Sequence, residues 1–517
     1  KNRPVVPRRF LQRQDHLPQF QDRIVDILPD EENALLLALS LESSEGSAVV
    51  KVDIADSSAR RVEPNRQYVV NWVTDRQSRV RLRVWRRDTE YRIIHREPGG
   101  KRWTTLWEFE AFADDQVWPL GFDEDPNRLF VQAYHDGRLA IFAVDLTDAD
   151  LGRELVFADP RYDVDGSLIY STVKRAVIGT TYSRQGGFTF WDDEYKGLQN
   201  GIDKVMPDTR NVLYGFSADE RRYIVLATGD TEPGMYLIGD RDARSLDLLA
   251  YRYRGLPSAK MAAKQRIEYE ARDGLAIEGF LTLPQDSDGK ELPAIVFPHG
   301  GPISFDGGGF DYWTQYFASR GFAVLQMNFR GSAGYGYDFL KAGLANWGLE
   351  MQNDVEDGTR WLIGEGIADP DRICIVGASY GGYAALMEAT RNGGLYRCAV
   401  SFAGVTDVAY LVKSQRRYTI SEIVEQQVGS NLRDLRRRSP LHLSEQIDVP
   451  VLLAHGTEDR SVQFAHGERM HRALDKGGKT VTFLELDGGD HYLSNQTHRL
   501  EFFAAMDSFL GEHLHPD

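Results

Sequence analysis

Residues 375–387 read "IVGASYGGYAALM", an apolar run that passes through a serine set between glycines into an alanine-rich stretch. The segment "RICIV" before it is rich in β-branched residues and predicts a strand, and "YAALMEAT" after it predicts a helix. Gly377-Ala378-Ser379-Tyr380-Gly381 fits G-x-S-x-G, the pattern of a serine held at a sharp strand-to-helix turn. At such a turn the serine backbone is strained, and side chains at 377 and 381 would collide with the adjoining strand and helix. Glycine removes the collision. A phosphate-binding turn is the competing reading, but the chain has neither G-x-G-x-x-G nor G-x-x-x-x-G-K-[ST].

The surroundings repeat one theme. After two strands, "QRIEYEA" and "LAIEGFLTLP", come "PAIVFPHGGP", "FAVLQMNFRGSAG", "RICIVGASYGG", "CAVSFAG", "PVLLAHGTED" and "VTFLELDGGDH". Nearly continuous apolar strands alternating with helical stretches predict a doubly wound, mostly parallel sheet covered on both faces, with its chemistry at the carboxyl ends of the strands. The fold class expected for residues 259–517 is therefore an α/β hydrolase domain.

Residues 1–258 have another texture. Short β-rich runs separated by acidic, Asn or Gly turns begin at 27, 71, 121, 168 and 215, about 45 to 50 residues apart. That period suits four-stranded propeller blades, and about five are visible. The opening "KNRPVVPRRF" has neither an initiator Met nor a signal segment, so the chain is either processed or lacks its true N-terminus, and with five visible blades an open or N-terminally incomplete β-propeller is expected. The exposed edge of such a ring would be covered by a missing N-terminal segment or by a partner subunit, so homo-oligomerisation enters as an expectation.

A serine alcohol needs a base, and the base needs an orienting acid, in the chain order Ser, Asp, His on this fold. Of the histidines that follow Ser379, only His491 in "LELDGGDHYL" comes directly after an apolar strand in a Gly-rich loop. His455 ends a strand, and His466 and His471 lie in a helical stretch, where packing or solvation is the plainer reading. Asp459 occupies the matching loop 80 residues beyond the serine, and Asp407 after "SFAGVT" is the competing acid. The oxyanion of an acyl transfer needs two N–H donors. Tyr380 offers the first and Gly301 in "PHGGP" the second.

Composition limits the alternatives. The 517 residues carry a formal charge of −16, which argues against nucleic acid as a partner, and no run of eighteen apolar residues exists to span a membrane. Cys374 and Cys398 sit in apolar stretches and read as buried free thiols. "HGERMH" is not HExxH and no CxxC occurs, so neither metal nor other cofactor is expected. The protein is expected to be soluble, cytoplasmic or periplasmic.

Taken together, "PHGGP", "NFRGSAGYG", Trp347-Gly348, "DVEDG", "GASYGGYAA" and "HGTEDRSVQF" resemble the prolyl oligopeptidase family of serine peptidases, in its acylaminoacyl-peptidase and dipeptidyl-peptidase branches. The resemblance implies Ser379, Asp459 and His491 as the triad, Tyr380 and Gly301 as oxyanion donors, and a propeller of about seven blades. It also implies Val462, with Tyr410 or Tyr418, as lining of the pocket for the residue before the cleaved bond. Acylaminoacyl and prolyl members carry an arginine two places after the acid; Arg460 stands one place after it here, so that clamp is shifted or lost. "HGTxDxxVxF" leans toward dipeptidyl peptidases, yet their paired glutamates have no clear counterpart: "WEFEAF" (Glu108, Glu110) and "WDDEY" (Asp192, Asp193, Glu194) read as acidic strand or loop stretches. The implied function is hydrolysis of short peptides, as an oligopeptidase or an N-terminal exopeptidase. The alternatives are a carboxylesterase using the same triad and a catalytically inactive propeller that binds peptides.

Overall fold

The computed structural model describes residues 23–182 and 187–514. The opening "KNRPVVPRRF" lies outside the described residues. Among the described residues two compact units are present, one of residues 23–182 with 415–424, the other of residues 187–414 with 425–514.

The first unit is built of antiparallel meanders, each strand bonded to the next in sequence. One sheet runs Arg23–Asp26, Ala34–Leu39, Gly46–Asp53 and Ala59–Gln67, a second runs from Val69 to Glu110, and a third from Val117 to Phe157. A further pair, Leu168–Ser171 with Ala176–Tyr182, follows. Alternating positions supply the packing between sheets. Leu82, Val84, Ile93 and Phe109 of the second sheet meet Phe122, Leu129, Val131 and Phe142 of the third, all essentially withdrawn from water. Val49 of the first meets Val69, Trp72 and Val80 of the second. Sheets that begin at 23, 69, 117 and 168 follow the spacing of the repeats.

In the second unit another four-stranded meander spans Arg210 to Tyr251. Ahead of it lies an amphipathic helix, Asp193–Val205, where the sequence had suggested only strand or loop. Its reason is local: the Asp192 carboxylate accepts from the Glu194 and Tyr195 amides, and Asp193 and Glu194 sit in the positively polarised first turn. The expectation for "WDDEY" is corrected accordingly.

The remaining sheet has eight strands. Lys264–Glu270 and Ala276–Thr282 are antiparallel at one edge, and six parallel strands continue in the order Ala323–Met327, Leu292–Val296, Ala368–Ala378, Cys398–Phe402, Val451–Gly456, Val481–Leu486. These are the six apolar runs of the sequence. Alternate strand residues, among them Ile295, Val324, Val376, Val400 and Leu452, form a dry core with Phe317 of helix Tyr312–Ser319 and with Phe502, Met506 and Leu510 of helix Gln496–Leu514.

Cys374 and Cys398 correct a second expectation. They are not separate thiols but a disulfide, because the parallel register sets them directly opposite each other on adjacent strands, with Cα atoms 4.8 Å apart. A separation of 24 residues says nothing about register, so the pairing was invisible until the strands were placed.

Candidate active site

Strand Ala368–Ala378 ends at Ser379, and helix Tyr380–Arg391 begins immediately after it. Ser379 has φ 57° and ψ −119°, a conformation that costs an L-residue energy and persists only where its surroundings impose it. They do so here. The Ser379 amide donates to Phe402 O at 2.9 Å and its carbonyl accepts from the Tyr383 amide at 3.1 Å. A Cβ on Gly377 would overlap the backbone of Gly381, and one on Gly381 would overlap Pro298 O. The collision foreseen at 377 is with the first turn of the helix; at 381 it is with the loop that carries "PHGGP".

That loop rests on the elbow. A Cβ on Gly300 would come within 3.2 Å of Ala378 O and 3.4 Å of Ser379 Cβ. Gly301 takes φ +123°, in the region glycine favours. His299 anchors the segment through contact of Nε2 with Ser332 Oγ at 2.9 Å and by stacking on Phe329 at 4.4 Å. The Tyr380 ring is buried against Phe329 and Trp347, which leaves its backbone amide as the part that can serve chemistry.

Beneath these loops Arg330 binds two carboxylates, Asp354 through Nε and Nη2 at 2.8 and 2.7 Å and Asp273 through Nη1 and Nη2 at 2.7 and 3.0 Å. Burial pushes the Asp354 carboxyl up against the pull of Arg330. Arg330 and Asp354 belong to "NFRGSAGYG" and "DVEDG", motifs the sequence marked without assigning these residues a task. Their pairing fixes the loop that holds His299.

The two residues expected as acid and base lie in contact. Asp459 follows strand Val451–Gly456 and His491 follows strand Val481–Leu486, and Asp459 Oδ2 lies 2.7 Å from His491 Nδ1. Backbone bonds tie the two loops: the Thr457 amide donates to Leu486 O at 3.0 Å and the Glu458 amide to Gly489 O at 2.9 Å. Oδ1 of Asp459 accepts from the Ser461 and Val462 amides at 2.8 and 2.9 Å. Burial alone would push the Asp459 carboxyl up; hydrogen bonds from His455 and His491, the charge of His491 and the Val462 amide together hold it well below the usual carboxylate range. No hydrogen bond joins Ser379 Oγ to His491 among the described residues. Such contacts commonly tighten only around substrate.

Asp407 is engaged elsewhere. Arg469 Nη2 reaches its carboxylate at 3.0 Å, His442 Nε2 lies at 3.4 Å, and the Tyr410 amide donates to it at 3.0 Å. Val462 is buried, its amide and carbonyl both committed to the acid loop. Arg460 is exposed. The Tyr410 hydroxyl bonds Gln463 Oε1 at 2.5 Å, whereas Tyr418 falls in the segment Gln415–Val424 of the first unit, so the two tyrosines belong to different units. A cavity of about 1070 Å³ in the second unit is lined by Lys260, Gln285, Arg320 and Asp507 among others and by none of the site residues, so the chemistry is located by geometry rather than by size. Among the described residues no helix is long and apolar enough to cross a membrane, and no group of three or more His, Cys, Asp and Glu side chains is arranged to hold a metal.

These features define a hydrolase built on a nucleophilic serine. The sequence profile of the prolyl oligopeptidase family matches residues 309–517. Dipeptidyl aminopeptidase BIII of Pseudoxanthomonas mexicana is 26% identical over 96% of this chain and 74% of its own length. The acylamino-acid-releasing enzyme of Homo sapiens is 28% identical over 47% of this chain and 34% of its own. Among solved structures, a Mycobacterium tuberculosis puromycin-hydrolyzing peptidase superposes with a TM-score of 0.79 at 20% identity, covering 97% of this chain and 80% of that one. Acylaminoacyl peptidase of Pyrococcus horikoshii superposes with a TM-score of 0.62 at 20% identity, covering 95% and 88%. Residues 309–517 match the prolyl oligopeptidase family, the protein is a serine-type peptidase, and its fold is the propeller and α/β hydrolase architecture of those structures.

Proposed function

We propose that the protein hydrolyses short peptides through an acyl-enzyme on Ser379, with His491 as base and Asp459 as the acid that orients it. The observation that carries this reading is the contact between buried Asp459 and His491, in loops adjoining a sheet whose elbow presents the serine. The His491 ring holds its Nδ1 proton toward Asp459, which leaves Nε2 unprotonated to accept the Ser379 Oγ proton as the oxygen attacks the carbonyl carbon. The amides of Tyr380 and Gly301 receive the oxyanion. The imidazolium then passes its proton to the leaving amine, and water reverses the sequence to release the acid product and free the serine.

The substrate reading is N-terminal exopeptidase action, with release of dipeptides from a free amino terminus. Its support is the dipeptidyl aminopeptidase whose likeness runs over 96% of this chain. The test is a defined mixture of peptides with free, acylated and internally placed cleavage sites, followed by mass spectrometry. Dipeptides released from free termini alone are expected. Release of single acylated residues would replace this reading with an acylaminoacyl one, and cleavage of esters without cleavage of any peptide would overturn the peptidase assignment.

A further inference from the structure

By sequence alone His455 is a packed or solvated residue at a strand end, but its surroundings give it more to do. It is 1% exposed and lies four residues before Asp459. Its Nε2 sits 2.9 Å from Val462 O and 3.4 Å from Asp459 Oδ2. A carbonyl oxygen can only accept, so Nε2 carries the proton and points it between that carbonyl and the triad carboxylate. The carboxylate oxygen that meets His491 at 2.7 Å therefore has a second imidazole 3.4 Å away.

The ring is held from behind. Helix Ala465–Lys476 lays Gly467 on it, so that a Cβ there would come within 2.9 Å of His455 Nδ1 and 3.1 Å of its Cβ. One residue before, His466 accepts the Thr406 and Asp407 amides at Nδ1, at 3.2 and 3.3 Å, which fixes it as a neutral acceptor. Burial, with His455 nearby, pushes His466 down to about 3. A second cation is thus kept out of the space behind the acid. The charged and titratable groups around the pair are His491 and Asp490 from the base loop, His466 and Arg469 from the helix, Asp407 from the loop after Cys398–Phe402, and His442 from the turn Pro440–Gln446. Exposed Glu485 is the register neighbour of His455 on the adjoining strand.

We infer that His455 is a positioning residue of the triad, which shares its Nε2 proton between Val462 O and Asp459 Oδ2 and so fixes both the rotamer and the basicity of the carboxylate that orients His491. The inference rests on the triad reading above. Without this donor, Asp459 would turn more freely and its Oδ2 would carry more charge toward His491, which favours the imidazolium.

The test compares His455→Leu, which removes the donor, with His455→Gln, whose Nε2 reaches the same place, each rate being normalised to active sites titrated with a fluorophosphonate. For His455→Leu, kcat is expected to fall about tenfold, the worth of one hydrogen bond to a charged group, with KM unchanged. The acid limb of its kcat/KM profile should move to higher pH by about half a unit. His455→Gln should restore the limb and most of kcat. A folded His455→Leu protein with an unmoved acid limb, or a His455→Gln protein as impaired as the leucine variant, overturns the proposal and leaves His455 a packing residue. Should His455→Leu not fold, Gly467→Ala keeps the histidine and presses a methyl on its ring; an upward shift of the limb supports the proposal and an unmoved limb rejects it. Asp459→Asn separates the two readings. A crippled Asp459→Asn beside an unaffected His455→Leu rejects only the role of His455, whereas a fully active Asp459→Asn rejects the triad assignment itself.

Discussion

The nucleophile elbow and the acid loop stand two strands apart on one sheet, and different forces hold them. At the elbow, glycines packed on backbone leave Ser379 one conformation, and the charged pairing of Arg330 acts only through the loop that holds His299. At the acid loop the backbone is ordinary, and position comes from hydrogen bonds that converge on one buried carboxylate: two amides, His491 and His455. Steric positioning is insensitive to pH and intolerant of an added atom. Electrostatic positioning tolerates shape but responds to every change of charge.

The largest effect should come from the atom both devices serve. Ser379→Ala is expected to lower kcat by about 10⁶, with loss of fluorophosphonate labelling, since the other triad members cannot act without the nucleophile. Labelling of the wild type at another residue would end the comparison. Asp459→Asn should cost about 10⁴ in kcat while the protein still folds and Ser379 is still present, because the amide favours the wrong imidazole tautomer.

Gly381→Ala examines the steric half. The added methyl overlaps Pro298 O, and a displacement of about 1 Å at the nucleophile is worth about 10² in rate, so a loss of at least that size is expected at every pH tested. A loss that varied strongly with pH would mean the two devices are not separate. Asp407→Asn should change kcat by less than about fivefold, though it weakens the contacts to Arg469 and His442 and with them the thermal stability. A loss comparable to that of Asp459→Asn would show that the acid loop extends to Asp407.

The smallest effects concern stability against pH, and here the two regions carry opposite signs. His466, beside the acid loop, is pushed by burial from 6.5 down to about 3, so the unfolded chain takes up a proton that the folded one refuses. Its contribution is present above pH 6.5 and is lost as pH falls toward 3. Glu388, fully buried on the elbow helix, is raised by burial from 4.5 to about 7, against bonds from Asn392 and Gln352. The folded state then holds the proton more tightly. Stability from this group is present below pH 4.5 and is lost as pH rises through 7. Thermal melts of Glu388→Gln should therefore show a smaller decline between pH 5 and 8 than wild type, and an unchanged decline would show that Glu388 is ionised in the folded protein.

Much of this was legible in the chain. The six parallel strands, the turn at Ser379, the loops that carry the candidate acid and base and the propeller period are written as local pattern, because strand alternation, turn glycines and loop position depend on near neighbours in sequence. Asp459 could be ranked above Asp407 by its place after an apolar strand. What sequence pattern missed depends on register and on packing between distant segments. Cys374 and Cys398 pair because two parallel strands align, and no local signal encodes that alignment. The helix at Asp193 was hidden by an acidic stretch whose capping role is apparent only once the turn exists. Arg330 lies in a recognisable motif, but its partners Asp354 and Asp273 lie 24 and 57 residues away in opposite directions along the chain. His455 shows the division most clearly: the sequence placed it at a strand end, while the folding of the loop back through Val462 and the seating of Gly467 on its ring turned its proton toward Asp459. Residue type and local spacing determined which chemistry the protein could hold, and the meeting of segments distant in sequence decided which groups share a proton, since hydrogen bonds act over about 3 Å and not along the chain.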